Sequence, residues 1–144
     1  MKLQKTSIIG LLTIVIILNI IIGHFLPPAG ILITPLIISV MIGLIVFTDN
    51  GLNIIEKSVL SYLYIGLNDI GIKLFSGGKH DMEGVGWIHM MLYIGLVPCF
   101  IMLSIGIFRD KDSSIRLKIL SVIIFVLLIY AHLEIFETLG VNVN

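Results

Sequence analysis

An all-α, polytopic transmembrane helical bundle is the fold class this sequence predicts, and three observations predict it. Hydrophobic residues make up 58% of the chain and charged residues only 12%, whereas soluble domains carry about a quarter of their residues as charge. Mean hydropathy is +1.14. The apolar residues are also gathered into runs close to the roughly 20 residues that a helix needs to cross the hydrocarbon core. A soluble domain of 144 residues could not cover its core with so few polar side chains, so lipid is the solvent for much of the surface. The basic and acidic residues cancel, which points away from a nucleic-acid partner and from a polybasic lipid clamp. Cys99 is the only cysteine and lies in an apolar run, excluding an intrachain disulfide and a thiolate metal site. No internal repeat or linker divides the chain, so 1–144 reads as one transmembrane domain.

Five helices follow from the apolar runs. The first, 7–26, comes after Lys2 and Lys5. It is longer than a signal-peptide core, and Pro27-Pro28-Ala29-Gly30 is a poor cleavage site but a good helix stop and reversal. The second, 31–47, closes at Thr48-Asp49-Asn50-Gly51. The third, 58–75, is the least apolar, since Asn68, Asp69, Gly66 and Gly71 interrupt it. The fourth, 87–108, contains Pro98, which is expected to kink it. The fifth, 115–139, is the most continuously apolar. Between them lie an outer loop, 76–86, and inner loops, 48–57 and 109–114. Four crossings with 58–75 broken or re-entrant is the alternative.

Charge decides the third crossing. Lys and Arg in short loops mark the cytoplasmic side, so Lys2 and Lys5 place the amino end inside. The connector from Arg109 to Lys118 holds four basic residues and also belongs inside, which requires 58–75 to cross outward. Seven of the nine basic residues then lie in the cytoplasm, with Lys73 and Lys79 outside. The carboxyl end is extracytoplasmic. The chain is expected in the cell membrane as a multi-pass protein.

All four histidines fall on the outer side in this topology: His24, His80, His89 and His132. Asp69, Asp81, Glu83, Glu134 and Glu137 join them, while Asp49, Glu56, Asp110 and Asp112 lie inside among basic residues. Asp69 lies roughly 9 Å inside the outer end of its helix, at 1.5 Å per residue. An ionisable group at that depth is a functional-site hypothesis by default. The plainer reading is that Asp69 and Lys73, spaced i, i+4, neutralise one another. His132 and Glu134 have no basic neighbour in sequence and need a partner from another helix; Asn68, Asp69, His24 and His89 lie at suitable depths. His24, His89 and Glu137 also fit ordinary helix-end roles, and Trp87, Tyr62 and Tyr64 fit anchoring or packing. Ser39 and Gly43 are spaced for close helix packing.

Three functions fit these residues. In a membrane-embedded enzyme acting on a lipid or envelope precursor, Asp69, His89, His132 and Glu134 are the catalytic candidates. Asn68, His80, Asp81 and Glu83 would bind substrate there, and the glycine-rich segment 66–86 would shape its entry. In a transport or channel subunit, Asp69, His132 and Glu134 would relay protons or bind a cation, in an oligomer. In an accessory or assembly protein the polar cluster is structural and the outer loop meets a membrane partner. His24, His89, His132 and Glu134 are ligand types suited to a divalent metal, but no HExxH or comparable spacing selects one. The lipid bilayer is the expected partner in every case.

Overall fold

The computed structural model describes residues 4–77 and 82–141. It is all-α, with no strand among the described residues. The helices are α1 (Lys5–Phe25), α2 (Pro27–Leu32), α3 (Thr34–Phe47), α4 (Ile54–Phe75), α5 (Met82–Arg109) and α6 (Ile115–Ile135). Three of them, α1, α5 and α6, are long and apolar enough to cross a membrane. Helix α3 is apolar but has only 14 residues. Large apolar side chains such as Ile14, Leu36, Val97 and Leu127 stand exposed around the bundle. That surface suits lipid rather than water.

Several boundaries differ from expectation, each for a local reason. The Pro27-Pro28-Ala29-Gly30 segment reverses the chain but is itself helical, because proline is well accommodated in the first turn of a helix. The predicted 31–47 helix is therefore divided between α2 and α3, with the break at Ile33 just before Pro35. Thr34 Oγ1 donates to Gly30 O at 3.0 Å across that break. Helix α4 starts at Ile54 because Asn53 and Glu56 form a reciprocal capping box. Lys5 Nζ meets Glu56 at 3.0 Å and fixes the start of α1 against the start of α4. Helix α5 starts at Met82, so the last five residues of the predicted outer loop 76–86 are helical. Pro98, expected to kink this helix, sits inside one unbroken span from Met82 to Arg109. Helix α6 stops at Ile135 rather than 139, and the turn after it places Gly140, at φ +85°, against the backbone carbonyl of Lys73.

Contacts fix the directions of the helices. From α1 to α4, Lys5 meets Glu56, Thr13 meets Tyr64 and Asn19 meets Asn68. The partners rise together, so α1 and α4 are parallel. The same holds for α3 and α5, where Pro35 and Ile38 pack at Gly95 and Val46 packs at Gly106. It holds again for α4 and α6, where His132 meets Asp69 and Phe136 meets Lys73. The apolar core lies between these layers, with Ile8, Leu12, Ile38, Ile42, Ile45 and Leu103 fully enclosed. Glycine sets close approach at several places, among them the two that follow. Gly23 and Gly30 bring the end of α1 against α2, where a Cβ on Gly30 would strike the Gly23 backbone. Gly106 leaves room for Val46, while Gly43 of the expected Ser39/Gly43 pair makes only an ordinary contact with Met102.

Candidate functional site

Helix α4 is two-faced. Val59, Leu63, Leu67 and Leu74 point outward, while Ser58, Ser61, Tyr64, Asn68, Asp69 and Lys73 are buried. Four of these polar groups, Tyr64, Asn68, Asp69 and Lys73, face a bonded neighbour. Tyr64 donates its hydroxyl to Ile9 O at 2.9 Å, and Asn68 Oδ1 accepts from Asn19 Nδ2 at 2.8 Å. Both partners belong to α1. Asp69 turns the other way, toward α6.

Asp69 Oδ2 is shared by two cationic or donor groups. Lys73 Nζ lies 2.7 Å from it and His132 Nε2 lies 3.0 Å from it. Lys73, Asp69 and His132 are 0%, 1% and 2% exposed. Burying an isolated charge would be costly, and pairing it with hydrogen-bonded partners is what makes it tolerable. A carboxylate only accepts, so His132 directs an Nε2–H at Asp69, and in the neutral imidazole Nδ1 is then an acceptor. With the imidazole neutral, the lysine and aspartate charges cancel. Lys73 also donates to Phe136 O at 2.9 Å, one of the carbonyls left over where α6 ends. Two atoms of this triad have no partner, Asp69 Oδ1 and His132 Nδ1. His132 Nδ1 faces Gly66, where an added Cβ would stand 3.2 Å away, and the ring is edge-on to Tyr62.

The other predicted residues are dispersed. Glu134 is exposed and does not join the triad that His132 enters. Two residues along a helix is more than half a turn, so the two side chains leave opposite faces. His24 is exposed and its Nδ1 pairs with Phe75 O at 2.9 Å, a helix-end role. His89 is half-buried on α5 and lies within electrostatic reach of Lys73, Asp69, Glu137 and His132. Glu83 is exposed in the first turn of α5. His80 and Asp81 lie outside the described residues. Among the described residues no group of three or more His, Cys, Asp or Glu side chains could hold a metal ion. His24, His89, His132 and Glu134 are therefore not gathered as a ligand set.

Sequence reasoning missed Asn19. It is 1% exposed and anchors Asn68. A lone amide in the middle of an apolar run was the available signal. Ser58, Ser61 and Ser121 were missed too, as buried hydroxyls without partners.

A second feature lies at the proline-turn end. A cavity of about 410 Å³ is walled by Pro28 and Ile31 of α2, Ser76 and Gly77 after α4, and Val85 and Ile88 of α5. Its lining is overwhelmingly apolar, and Trp87, the sole tryptophan, borders it. Asp69, His89, His132 and Glu134 do not line it.

Fold and site together define a helical protein of membrane type, with a charge-balanced polar seam between two of its helices. No known protein family, curated protein or solved structure matches the chain.

Proposed function

We propose that the protein is a five-pass membrane protein, amino end cytoplasmic, that binds a lipid or lipid-like molecule at the extracytoplasmic end of its bundle. The apolar cavity of about 410 Å³ carries this reading. Its size falls within the roughly 300–1,000 Å³ of small-molecule sites. Its walls come from the proline turn, from Ser76 and Gly77 after α4, and from the start of α5.

Direction and surface support five crossings. Helices α1, α4 and α6 are parallel, so the chain must return through 27–47 and again through α5. Residues 27–47 cover roughly 30 Å at 1.5 Å per residue, about the hydrocarbon thickness. Helix α4 can cross despite its charges because they face inward in neutral combination while leucines and valine face outward. The positive-inside rule then puts the cavity, His24, His132 and Glu83 on the extracytoplasmic side. Binding rather than turnover is the activity these positions favour. Asp69 and His132, two of the acid–base candidates, are enclosed in the bundle away from the cavity.

Trp87 supplies the test. Protein in mild detergent is titrated with a brominated fatty acid, and tryptophan quenching is followed, with the unbrominated acid as competitor. Quenching is expected to saturate and to be reversed by the competitor. Val85→Phe and Ile31→Phe, which fill the cavity from two different helices, should weaken binding about tenfold, roughly 1.4 kcal/mol. Ile14→Phe on the exposed face of α1 should not. Unsaturable quenching, or equal behaviour of all three variants, refutes the proposal.

A further inference from the structure

We infer that the Asp69–Lys73–His132 triad is a proton-binding site whose occupancy loosens α4 from the end of α6. The inference does not depend on the cavity or on what fills it. It starts from one of the two acceptors left free in the triad, the one on the imidazole. His132 Nδ1 is buried, has no hydrogen-bond partner, and faces the side chain-free backbone of Gly66. Its other nitrogen is already engaged by Asp69 at 3.0 Å. An imidazole held in this way can take a proton at Nδ1 without giving up the Nε2–H bond that orients it.

The step balances simply. One proton adds to the Nδ1 lone pair, no other bond breaks, and the imidazole becomes imidazolium. The triad passes from a net charge of zero to plus one. Asp69 Oδ2 then faces two full cations, His132 and Lys73, on the same oxygen. The titratable groups near the triad are Tyr62 of α4, edge-on to the His132 ring, and His89 of α5, which lies within electrostatic reach of Lys73, Asp69 and His132 and also of Glu137 in the turn after α6. Asn19 on α1 contributes an amide, not a charge, and faces Asn68. Helix α3 contributes no ionisable group. Only the two carboxylates favour the added proton, and Glu137 is exposed.

The consequence falls on Lys73. Its ammonium joins Asp69 to Phe136 O, so it links the triad to the turn at 136–141. That turn is held by few bonds: Leu139 N–H to Phe136 O at 3.3 Å, Val141 N–H to Thr138 O at 3.2 Å, and the packing of Gly140 on Lys73. Weakening the Lys73–Asp69 pair frees this turn first.

The test is made on the full chain in lipid nanodiscs, with ¹⁵N-histidine spectra and backbone hydrogen exchange recorded together across pH. At neutral pH His132 is expected as the Nε2–H tautomer, and Asp69→Asn should remove that preference. On acidification, with the fold retained, His132 should become imidazolium. Exchange at Leu139 and Val141, corrected for its intrinsic pH dependence, should then quicken about tenfold or more. Lys73→Met should abolish the link while His132 still protonates. Gly66→Ala, which crowds Nδ1 and leaves every charge in place, should suppress both changes. It also keeps the question decidable if substitution of His132 itself prevents folding. The inference is overturned if His132 stays neutral until the fold is lost. It is equally overturned if imidazolium forms while exchange at 136–141 is unchanged, or if Lys73→Met leaves the link intact.

Discussion

Removing one charge from the triad should cost far more than removing two. Asp69→Leu leaves the Lys73 ammonium fully buried with only Phe136 O to receive it. Lys73→Met leaves the Asp69 carboxylate buried with only His132. Truncating one partner of a buried pair costs about 3–5 kcal/mol, most of it the burial of the charge left behind. In the double variant both charges are gone. The principal loss is then the His132 Nε2–H, and an unsatisfied buried donor costs about 1–3 kcal/mol. The double variant should therefore be more stable than either single variant, with non-additivity of about 3 kcal/mol or more. Reversible unfolding by SDS in mixed micelles, followed by circular dichroism, measures all four corners of the cycle. Single costs below about 1 kcal/mol, the range of exposed pairs, would refute the reasoning. So would costs that simply add.

Three further outcomes follow from the ends of the bundle. Gly30→Ala should destabilise by about 1–3 kcal/mol, as over-packing does, because its Cβ meets the Gly23 backbone, which has no rotamer to yield; Gly10→Ala, with open space around it, is the matched control in the same unfolding assay. Glu56, ahead of the 58–75 crossing, has its carboxyl held below the usual range by the Asn53 backbone N–H and then by Lys5. A lowered carboxylate stabilises the fold above its unfolded value and loses that contribution as pH falls through the folded one. The acid limb of stability in the wild type should thus flatten in Glu56→Gln, and Asn53→Ala should cost about 0.5–2 kcal/mol from the lost cap.

How much of this was legible in the chain depends on the kind of signal. The helical class and the approximate runs follow from composition and length, and Asp69 with Lys73 could be paired from spacing alone. The need of His132 for a partner on another helix was also visible, and Asp69 was among those named. The identity of the partner was not. Helices that are apolar almost all round show no amphipathic stripe, so periodicity does not say which face meets a neighbour. Hence spacing alone set Glu134 and His132 on different faces of the fifth helix without saying which of them faces the bundle, and Asn19 passed as one polar residue in an apolar run. The early start of α5 was hidden for a different reason. Gly84 and Gly86 argue against helix by roughly 1 kcal/mol each, and packing of Val85 and Ile88 into the bundle overrides them.

The crossing of α4 underlies the proposed topology, and one labelling experiment addresses it directly. Single cysteines at Glu83 and Lys111, in a Cys99→Ser background, are exposed to a membrane-impermeant maleimide on intact cells and again after permeabilisation. Five crossings predict that Glu83→Cys is labelled on intact cells and Lys111→Cys only after permeabilisation. Labelling of Glu83→Cys only after permeabilisation, or of Lys111→Cys on intact cells, would contradict the account.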